Sequence, residues 1–487
     1  MKKIQKIVKK ITGQLNLANT PELCCLDLTS EVGELAKEVL ELTNYGRKEH
    51  KYNPDLAREL GDTFYSLISL ANTYDIDLEE QLNNSLKKYK IREERRNADL
   101  NATKINLEPI VLAKNFLCLN AIAGCRNNCI YCYKYGWNIK DRFTPRKFCD
   151  VSYILDSLKN HKYFHPNIPI AVHNSATDPF QRGVTETTFE ILDGLEKMGI
   201  TNVIGLITKE YMTEEMINRL QEYKNIKPII FVTYSFLSGK YEKLVSERRV
   251  ETMKNLKKST LKKVLYYRPI IEGVNDSKKI AQKIVHLGEK YFDCIVRSLL
   301  KVDVNILENM AKNGVYINPE YDIGLNIHDS VKKMLPESRN RVDSILSKAR
   351  IPYFKKTSCS ISWLFNQPDY NSQWIREEYY CSPSCPLSQR KICSGLFARK
   401  PQKEEIDKLL RHLNMSAEYQ IKNDHILLTS NKVFYSDIKY LRMALGFPVL
   451  ISMNNERLTA EEYDTKYINA DRREIKKLIK KQGILIS

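Results

Sequence analysis

The stretch NFLCLNAIAGCRNNCIYCYKYGW, residues 115–137, joins an apolar segment that predicts a buried strand to a loop with closely spaced cysteines. Cys125, Cys129 and Cys132 follow the spacing Cys-x3-Cys-x2-Cys. The loop begins where the strand ends, and the carboxyl ends of parallel strands are where barrel-like α/β folds hold their chemistry. Three thiolates on one short loop can bind three irons of a cubane cluster and leave the fourth iron open.

Five further apolar segments follow this strand, and each is followed by a helical or loop segment. They are IPIAVHNS, NVIGLITK, KPIIFVTY, VLYYRPII and DCIVRSLL. Such alternation predicts a parallel sheet wound by right-handed crossovers. Six units make an incomplete barrel, so we expect an α/β core with a partial (βα)6 TIM-like barrel over residues 108–300.

The composition predicts a large, basic, globular protein with reduced thiols. Its 487 residues are too many for one ordinary core, and 43% of them are hydrophobic. The net charge of +18 favours polyanionic partners such as nucleotides or nucleic acid, although a Lys- and Ile-rich proteome would give the same excess. No segment predicts a secretory signal or a membrane span, so we expect a cytoplasmic protein without membrane contact. Thiols stay reduced in the cytoplasm, so clustered cysteines there indicate a metal site rather than disulfide bonds.

Three other regions surround the predicted barrel. Residues 1–98 look helical throughout and end in a polar linker. Residues 301–400 form an irregular, cysteine-rich extension, and residues 401–487 form a small mixed C-terminal domain whose role the sequence does not indicate. The basic end DRREIKKLIKKQGILIS fits either a solvated helix face or a nucleic-acid contact.

The cysteine loop, with aromatic Tyr131 before its last cysteine, resembles the radical S-adenosylmethionine (SAM) superfamily. The resemblance implies that the open iron of a [4Fe-4S] cluster binds the amino and carboxylate groups of SAM. It also implies that an electron, from a donor such as flavodoxin or ferredoxin, cleaves SAM to methionine and a 5'-deoxyadenosyl radical. A zinc site is the alternative, and Cys118 and Cys149 are the only close cysteines that could complete it.

Loops after later strands supply groups suited to SAM itself. The candidate cofactor-binding residues are Thr177, Asp178, Thr233, Ser235, Arg249 and Gly273. The first two lie in HNSATDPFQ, where a loop can accept the methionine ammonium, and the next two offer hydroxyls to a ribose or a carboxylate. The guanidinium of Arg249 is suited to bind a carboxylate. Gly273 lies in a turn where the backbone can come close to the adenine. DPFQ, SERRVETM and RPIIEGVND, in this order, most resemble the spore photoproduct lyase-like branch of the superfamily, which repairs a thymine lesion in DNA.

A second set of cysteines follows the predicted barrel. Cys359 precedes Cys381, Cys385 and Cys393, which follow the spacing Cys-x3-Cys-x7-Cys. Four thiolates can close a metal site completely, so we predict a second iron-sulfur cluster here. A structural zinc and unligated buried cysteines are the alternatives.

Two N-terminal segments, LTSEVGELAKEVLEL and PDLARELGDTFYSLISLA, predict amphipathic helices with paired carboxylates. Their apolar stripes are Leu28, Val32, Leu35, Val39 and Leu42 in the first, and Leu56, Leu60, Phe64 and Leu67 in the second. We expect both stripes to be buried. Glu31 and Glu34 flank the first stripe, and Glu59 and Asp62 flank the second. When the helices pack antiparallel these carboxylates converge, and oxygen-only ligands favour Mg²⁺ or Mn²⁺. Two solvated acidic faces are the alternative.

This ExxE and ExxD pattern resembles the MazG-type all-α nucleotide pyrophosphohydrolases, relatives of dimeric dUTPases. The resemblance implies Mg²⁺-dependent hydrolysis of a nucleoside triphosphate to monophosphate and pyrophosphate at the four carboxylates. It also implies a homo-oligomer formed through this domain. Family members often have a further Glu directly before the first, where this chain has Ser30.

Three functions follow from these patterns. The first is a bifunctional enzyme in which radical chemistry and triphosphate hydrolysis both act on nucleotides. The second is a radical enzyme acting on DNA or RNA, whose helical domain only dimerises or senses nucleotides. The third treats both domains as binding modules without turnover.

Overall fold

The computed structural model describes residues 1–17, 20–43, 45, 53–83, 85–86, 107–132, 143–243, 246–302, 304–316, 331–332, 336–371, 381–395, 399–429, 434–453 and 456–458. The chain forms two compact units, Met1–Thr103 and Lys104–Ser487. The predicted basic end, residues 471–487, lies outside the described residues. None of the described helices is long and apolar enough to cross a membrane.

The first unit contains three long helices. They are α1 (Lys2–Gln14), α2 (Pro21–Leu42) and α3 (Pro54–Thr73). Helices α2 and α3 each begin with proline in the first turn. Proline lacks a backbone N–H, but the N–H groups of the first turn have no hydrogen-bond acceptor within the helix, so no helical hydrogen bond is lost. The side chain of Asn53 caps α3 by accepting a hydrogen bond from the N–H of Asp55 at 3.1 Å. Helix α3 packs against both α1 and α2.

Helices α2 and α3 bury only part of the predicted apolar stripes within this unit. Leu28, Leu35, Leu42 and Leu56 are half-buried. Val32, Val39, Leu60, Phe64 and Leu67 are between 39% and 53% exposed, so the predicted burial of these five residues is wrong for a single chain. The buried residues of α3 are Glu59, Ser66, Ile68 and Ala71, so its inner face includes a carboxylate. The five exposed apolar residues are called the outer stripe below.

The second unit is an α/β structure with a mostly parallel central sheet. Its elements before residue 300 are β1 (Ile110–Leu112), β2 (Leu117–Leu119), β3 (Ile122–Ala123), β4 (Arg146–Lys147), α4 (Val151–Leu158), β5 (Ile170–Val172), α5 (Thr185–Lys197), β6 (Val203–Thr208), α6 (Glu214–Glu222), β7 (Lys227–Thr233), α7 (Ser246–Lys257), β8 (Lys262–Ile270), α8 (Lys278–Tyr291) and β9 (Cys294–Leu299). Each of the six predicted apolar segments contains one of these strands, so the prediction of an α/β core is confirmed.

The elements after residue 300 complete the unit. They are β10 (Lys301–Val302), α9 (Val304–Lys312), β11 (Val331–Lys332), α10 (Pro336–Leu346), β12 (Tyr353–Phe354), α11 (Thr357–Leu364), α12 (Leu387–Ser394), α13 (Lys403–His412), β13 (Glu418–Ile421), β14 (Ile426–Thr429), α14 (Tyr435–Leu445), β15 (Val449–Met453) and β16 (Glu456–Leu458).

The central sheet has eight strands in the order β1-β2-β5-β6-β7-β8-β9-β12. All neighbours from β2 to β12 are parallel, and β1 pairs antiparallel with β2. Strand β6, with the sequence VIGLIT, is almost entirely buried, as expected for a parallel strand covered on both faces. Gly205 in β6 leaves room for Phe116, because a Cβ there would lie 2.6 Å from its ring.

The C-terminal elements share a hydrophobic core with the central sheet. Strands β13, β14, β15 and β16 form a separate four-stranded sheet, in which β14 and β15 are parallel. The helix between them, α14, is buried along most of its length. Asp437 on α14 pairs with Lys162 at 2.7 Å, and Lys439 donates to the carbonyl of Leu112 at 2.7 Å. The polar groups of this buried helix are thus paired with the central part of the unit.

Candidate functional site

The loop after β3 brings the three cysteines of the predicted cluster to one cavity. Cys125, Cys129 and Cys132 line a cavity of about 160 Å³. Cys129 is buried and the other two are half-buried. The loop begins at Gly124 with φ +99°, where a Cβ would clash with the backbone oxygen of Thr144. Glycine is therefore required at this position.

The carboxyl ends of the central strands supply the rest of the cavity wall. Three cationic side chains line it, Lys209 after β6, Arg268 in β8 and Lys301 after β9. Asp178 is the one carboxylate among its described lining residues. This balance of charge favours an anionic ligand.

Two of the predicted SAM-binding residues also support the cysteine loop. Asp178 accepts a hydrogen bond from Nδ2 of Asn127, in the cysteine loop, at 3.5 Å. It also accepts from the hydroxyl of Thr208 at 2.7 Å and from the backbone N–H of Lys209 at 2.8 Å, which ties the loop to the end of β6. The hydroxyl of Thr177 donates to the carbonyl of Gly124, at the start of the loop. Both residues line the cavity and are buried, so their hydrogen bonds fix its wall.

A buried ion-pair network lies beside Cys129. Lys209 Nζ lies 3.3 Å from Cys129 Sγ, 2.5 Å from the Tyr131 hydroxyl and 2.8 Å from Glu242 Oε1. Arg249 Nη1 donates to Glu242 Oε2 at 2.7 Å. Burial favours the neutral acid, but Lys209 and then Arg249 hold the pKa of Glu242 below its ordinary value. The network therefore places an ionised carboxylate between two cations.

The other predicted SAM-binding residues do not all reach the cavity. Thr233 lines it. Arg249 is buried in the ion pair with Glu242 and does not line it. Ser235 is buried away from the lining, and its hydroxyl has no hydrogen-bond partner in the described part of the chain. Gly273, with φ +72°, lies in the turn after β8 and donates its N–H to an Asp276 oxygen at 3.0 Å.

Lys209 is one of the cavity residues that the sequence analysis missed, together with Arg268 and Lys301. It follows β6 directly and lines the cavity, like Thr233 at the end of β7. The same criterion, a polar residue at the carboxyl end of a parallel strand, would have identified it.

In the first unit, three of the four predicted carboxylates converge. Oxygens of Glu31, Glu59 and Asp62 all lie within 4.8 Å of one another. Within the described ranges, no other group of three or more acidic, histidine or cysteine side chains is this compact. Glu59 is buried, and Arg58 Nη2 lies 3.3 Å from it. Partial burial, followed by the negative charges of Glu34 and Asp62, raises the pKa of Glu31. The donor set fits a hard divalent cation.

Glu34 lies outside this group and is exposed. Asp27 lies one helical turn before Glu31 and also raises its pKa. The hydroxyl of Ser66 donates to Asp27 at 2.6 Å, which holds this carboxylate against α3. The sequence analysis missed Asp27, although its i, i+4 spacing from Glu31 places both on one helix face.

The second cysteine set occupies two segments of the second unit. Cys359 lies on α11, Cys393 lies on α12, and Cys381 and Cys385 lie in the loop before α12. Burial raises the pKa of Cys359, and the charges of the other three cysteines raise it further. The four thiols therefore share one neighbourhood.

Comparison with known proteins identifies similarity in the N-terminal part of the chain. Residues 19–97 match the family model of the MazG nucleotide pyrophosphohydrolase domain. A stretch of 100 residues is 37% identical to the uncharacterized protein YpjD of Bacillus subtilis (strain 168). The match covers 20% of this chain and 88% of that protein.

Solved structures with partial similarity to the chain include a variant of spore photoproduct lyase, with a TM-score of 0.38 and 11% identity. That match covers 50% of this chain and 78% of the other. A radical SAM methyltransferase from Sphaerobacter thermophilus matches with a TM-score of 0.33 and 16% identity, over 51% of this chain and 69% of the other. TM-scores this low do not establish a common fold, so the interpretation of the second unit depends on its own residues.

Proposed function

We propose that this chain, whose residues 19–97 belong to the MazG nucleotide pyrophosphohydrolase family, is a bifunctional enzyme that acts on nucleotides or nucleic acid. Its first unit hydrolyses a nucleoside triphosphate to a monophosphate and pyrophosphate. Its second unit is a radical SAM enzyme of the spore photoproduct lyase-like branch, built on a partial (βα)6 barrel. Both units work in the cytoplasm.

The convergence of three carboxylates supports the first activity. Glu31, Glu59 and Asp62 would hold Mg²⁺, because a bound cation would relieve the mutual repulsion of their carboxylates. When bound, Mg²⁺ polarises the phosphates and lowers the pKa of an attacking water. Glu34 and Asp27 remain close enough to add negative charge to the site.

The three cysteines on one cavity carry the proposal for the second activity. Cys125, Cys129 and Cys132 would hold a [4Fe-4S] cluster with one open iron, since all three face the same space at the carboxyl ends of a parallel sheet. When bound, the cluster supplies the electron for reductive cleavage of SAM. Lys209, 3.3 Å from Cys129, provides positive charge beside an anionic centre. Thr177 and Asp178 hold the loop that carries the cysteines, through hydrogen bonds with Gly124 and Asn127.

The charge of the cavity supports a nucleotide-like substrate. Lys209, Arg268 and Lys301 line it together with Thr233, while Asp178 is the one carboxylate among the described lining residues. The phosphates of a nucleotide or of nucleic acid match this charge, as does the net charge of +18 for the whole chain. A nucleoside triphosphate is also the substrate class of the first unit.

The outer stripe of Val32, Val39, Leu60, Phe64 and Leu67 supports a homo-oligomer formed through the first unit. These side chains are exposed in one chain and lie on two helices that pack against each other, and exposed apolar surface of this kind favours an interaction site. The second unit also requires an electron donor, such as flavodoxin or ferredoxin.

One alternative rests on the first unit. Ser30 stands where family members often carry a glutamate, and Glu34 lies outside the compact carboxylate group. In this alternative, the first unit only dimerises or senses nucleotides, and the radical enzyme alone acts on DNA or RNA.

Pyrophosphate release separates the two functions. The full chain is incubated with Mg²⁺ and a panel of nucleoside triphosphates, beside the variant Glu59→Gln. Release by the native chain and loss in the variant support the bifunctional enzyme. No release from any triphosphate, in protein that still binds Mg²⁺, supports the sensing alternative.

A further inference from the structure

The cysteine loop packs on a small hydrophobic cluster that is separate from the main core of the second unit. Ile130 and Tyr131 are buried there among apolar side chains from α9 and from the segments after β7, β8 and β9. The backbone N–H of Ile130 donates to the carbonyl of Tyr241 at 3.1 Å. Asn309 Nδ2 on α9 donates to the carbonyl of Ile130 at 2.6 Å. The loop is therefore docked against the segment that contains Tyr241 and Glu242.

Glu242 connects this segment to the cysteine loop and to the end of β6. Its side chain is fully buried. Oε1 accepts hydrogen bonds from the hydroxyl of Tyr131 and from Lys209 Nζ, the latter at 2.8 Å. Oε2 accepts a hydrogen bond from Arg249 Nη1 at 2.7 Å. Because both oxygens are used, the carboxylate cannot turn without breaking at least one charge-assisted hydrogen bond.

Arg249 holds Glu242 from within the protein. It is 0% exposed, and its guanidinium carbon lies 5.0 Å from the centre of the Tyr234 ring. Its Nη2 donates to the carbonyl of Leu237 at 3.4 Å. A buried guanidinium is costly unless it is paired with good geometry. The pair with Glu242 therefore fixes both side chains in one arrangement.

Lys209 is the part of this network that reaches the cavity. Its Nζ lies 3.3 Å from Cys129 Sγ and 4.7 Å from the centre of the Tyr131 ring. A lysine side chain has considerable rotamer freedom, and ordering it costs conformational entropy. The carboxylate of Glu242 and the hydroxyl and ring of Tyr131 supply the interactions that hold it in place. The network thus keeps one ammonium group against the sulfur of a cysteine.

Charge at this distance from the sulfur bears on how readily a bound cluster is reduced. Net charge and hydrogen bonds to the sulfurs set the reduction potential of an iron-sulfur cluster. The ammonium of Lys209 favours the reduced, more negative form. The carboxylate of Glu242 disfavours that form by its own charge but favours it by holding Lys209 in place. The two effects have opposite signs, so a variant of Glu242 shows which one dominates.

We propose that Glu242 and Arg249 are positioning residues, which hold Lys209 against the cysteine site and so raise the reduction potential of its cluster. The inference rests on the proposed function of the second unit. It assigns a role in that function to two residues that do not line the cavity. Neither residue is required to touch SAM or the substrate.

A redox titration of the anaerobically reconstituted full chain tests this proposal. It follows the electron paramagnetic resonance signal that is lost in the variant Cys125→Ala/Cys129→Ala/Cys132→Ala. We expect Glu242→Gln to weaken the preference for the reduced cluster about tenfold, a fall in potential of about 59 mV. Lys209→Met, which removes the ammonium itself, should lower the potential by at least as much. Glu247→Gln and Lys254→Met, both at exposed positions of α7, are the matched controls and should keep the native potential.

A lower potential in both network variants supports the proposal. A higher or unchanged potential in Glu242→Gln overturns it, because the carboxylate then acts through its own charge or has no effect on the cluster. If that variant does not fold, Glu242→Asp replaces it. The shorter side chain keeps the negative charge but withdraws the oxygen from Lys209, so the potential should still fall, and a native potential overturns the proposal.

Iron and acid-labile sulfide are measured in every sample, which separates this inference from the proposed function. A native chain that binds no iron contradicts the proposed function of the second unit and this inference with it. A native chain that binds its cluster and cleaves SAM, while all network variants keep the native potential, overturns this inference alone.

Discussion

Glu59 is a carboxylate that the fold buries against two others, and this arrangement is unfavourable unless something compensates for it. Arg58 approaches it at 3.3 Å but is itself largely exposed, so solvent screens the pair. In the proposed function, a bound divalent cation would provide the compensation that this ion pair does not.

We predict that Glu59→Gln weakens Mg²⁺ binding at least tenfold, equivalent to about 1.4 kcal/mol, because one charged ligand is lost. Titration calorimetry on the full chain measures the change. Glu41→Gln is the matched control, since Glu41 is exposed on α2 and its ion pair with Lys37 is long, at 3.9 Å. Equal Mg²⁺ affinity in the native protein and in the Glu59→Gln variant would contradict a metal site at Glu59.

The raised pKa of Glu31 predicts a pH dependence of the first unit. A carboxyl whose folded pKa lies above its unfolded value stabilises the fold at low pH, and this contribution is lost as pH rises through the folded pKa. Mg²⁺ should therefore raise the melting temperature most at neutral pH and progressively less as the pH falls toward about 4. Thermal unfolding with and without Mg²⁺ checks this, and an equal Mg²⁺ shift at both ends of the range would contradict it.

In the second unit, Glu242 is buried and pairs with two cationic side chains. We predict that Glu242→Gln destabilises the unit by about 3–5 kcal/mol, because Arg249 would remain buried, and Lys209 half-buried, without a counter-charge. The lowered pKa of Glu242 means that its contribution is present above the unfolded value and is lost as pH falls through the folded value. Chemical denaturation measures the effect. The control Glu247→Gln, at an exposed position nearby, should change stability by no more than about 0.5 kcal/mol.

The sequence predicted which kind of group each residue would bind better than it predicted the direction in which each side chain faces. The position of Thr177, Asp178 and Thr233 after predicted strands indicates a ligand site, and all three line the cavity. The guanidinium of Arg249 predicts a carboxylate partner, and it does bind a carboxylate, but that of Glu242. Helical periodicity does not indicate whether a guanidinium faces a cavity or a glutamate seven residues earlier in the chain.

At the scale of elements, the strands were the most predictable part of the fold. All six apolar segments contain strands, because parallel strands covered on both faces are nearly continuous apolar runs. The stripes on α2 and α3 were predicted correctly as helical faces, but much of their surface is exposed. The periodicity of apolar residues shows which positions share one face of a helix. It does not show whether that face packs against other elements of the same chain or against a second chain.

The outer stripe predicts a change of oligomeric state on substitution. Leu60→Glu with Phe64→Glu should convert the chain to a monomer, because two charges would have to be buried in the interface. Light scattering after size-exclusion chromatography gives the mass directly. Tyr153→Ser, which alters an exposed aromatic residue on α4, should leave the mass unchanged. If the double variant keeps the native mass, the contact between chains does not involve this stripe.

At the scale of the whole molecule, one chain joins two units for which we propose anionic, nucleotide-like substrates. The first belongs to a nucleotide pyrophosphohydrolase family, which confirms the prediction from its ExxE and ExxD pattern. The second has three cysteines and three cations around one cavity. The two proposed activities belong to separate sites. Separate variants of each site therefore show which activity each site carries.

The most direct test of the bifunctional enzyme is mass spectrometry of one anaerobic reaction of the reconstituted full chain with SAM, dithionite, Mg²⁺ and a nucleoside triphosphate panel. We predict both 5'-deoxyadenosine and a nucleoside monophosphate. The variant Cys125→Ala/Cys129→Ala/Cys132→Ala should lose only the first product, and Glu59→Gln should lose only the second. Undiminished 5'-deoxyadenosine in the triple cysteine variant, or none from native protein with its iron in place, would contradict the proposal.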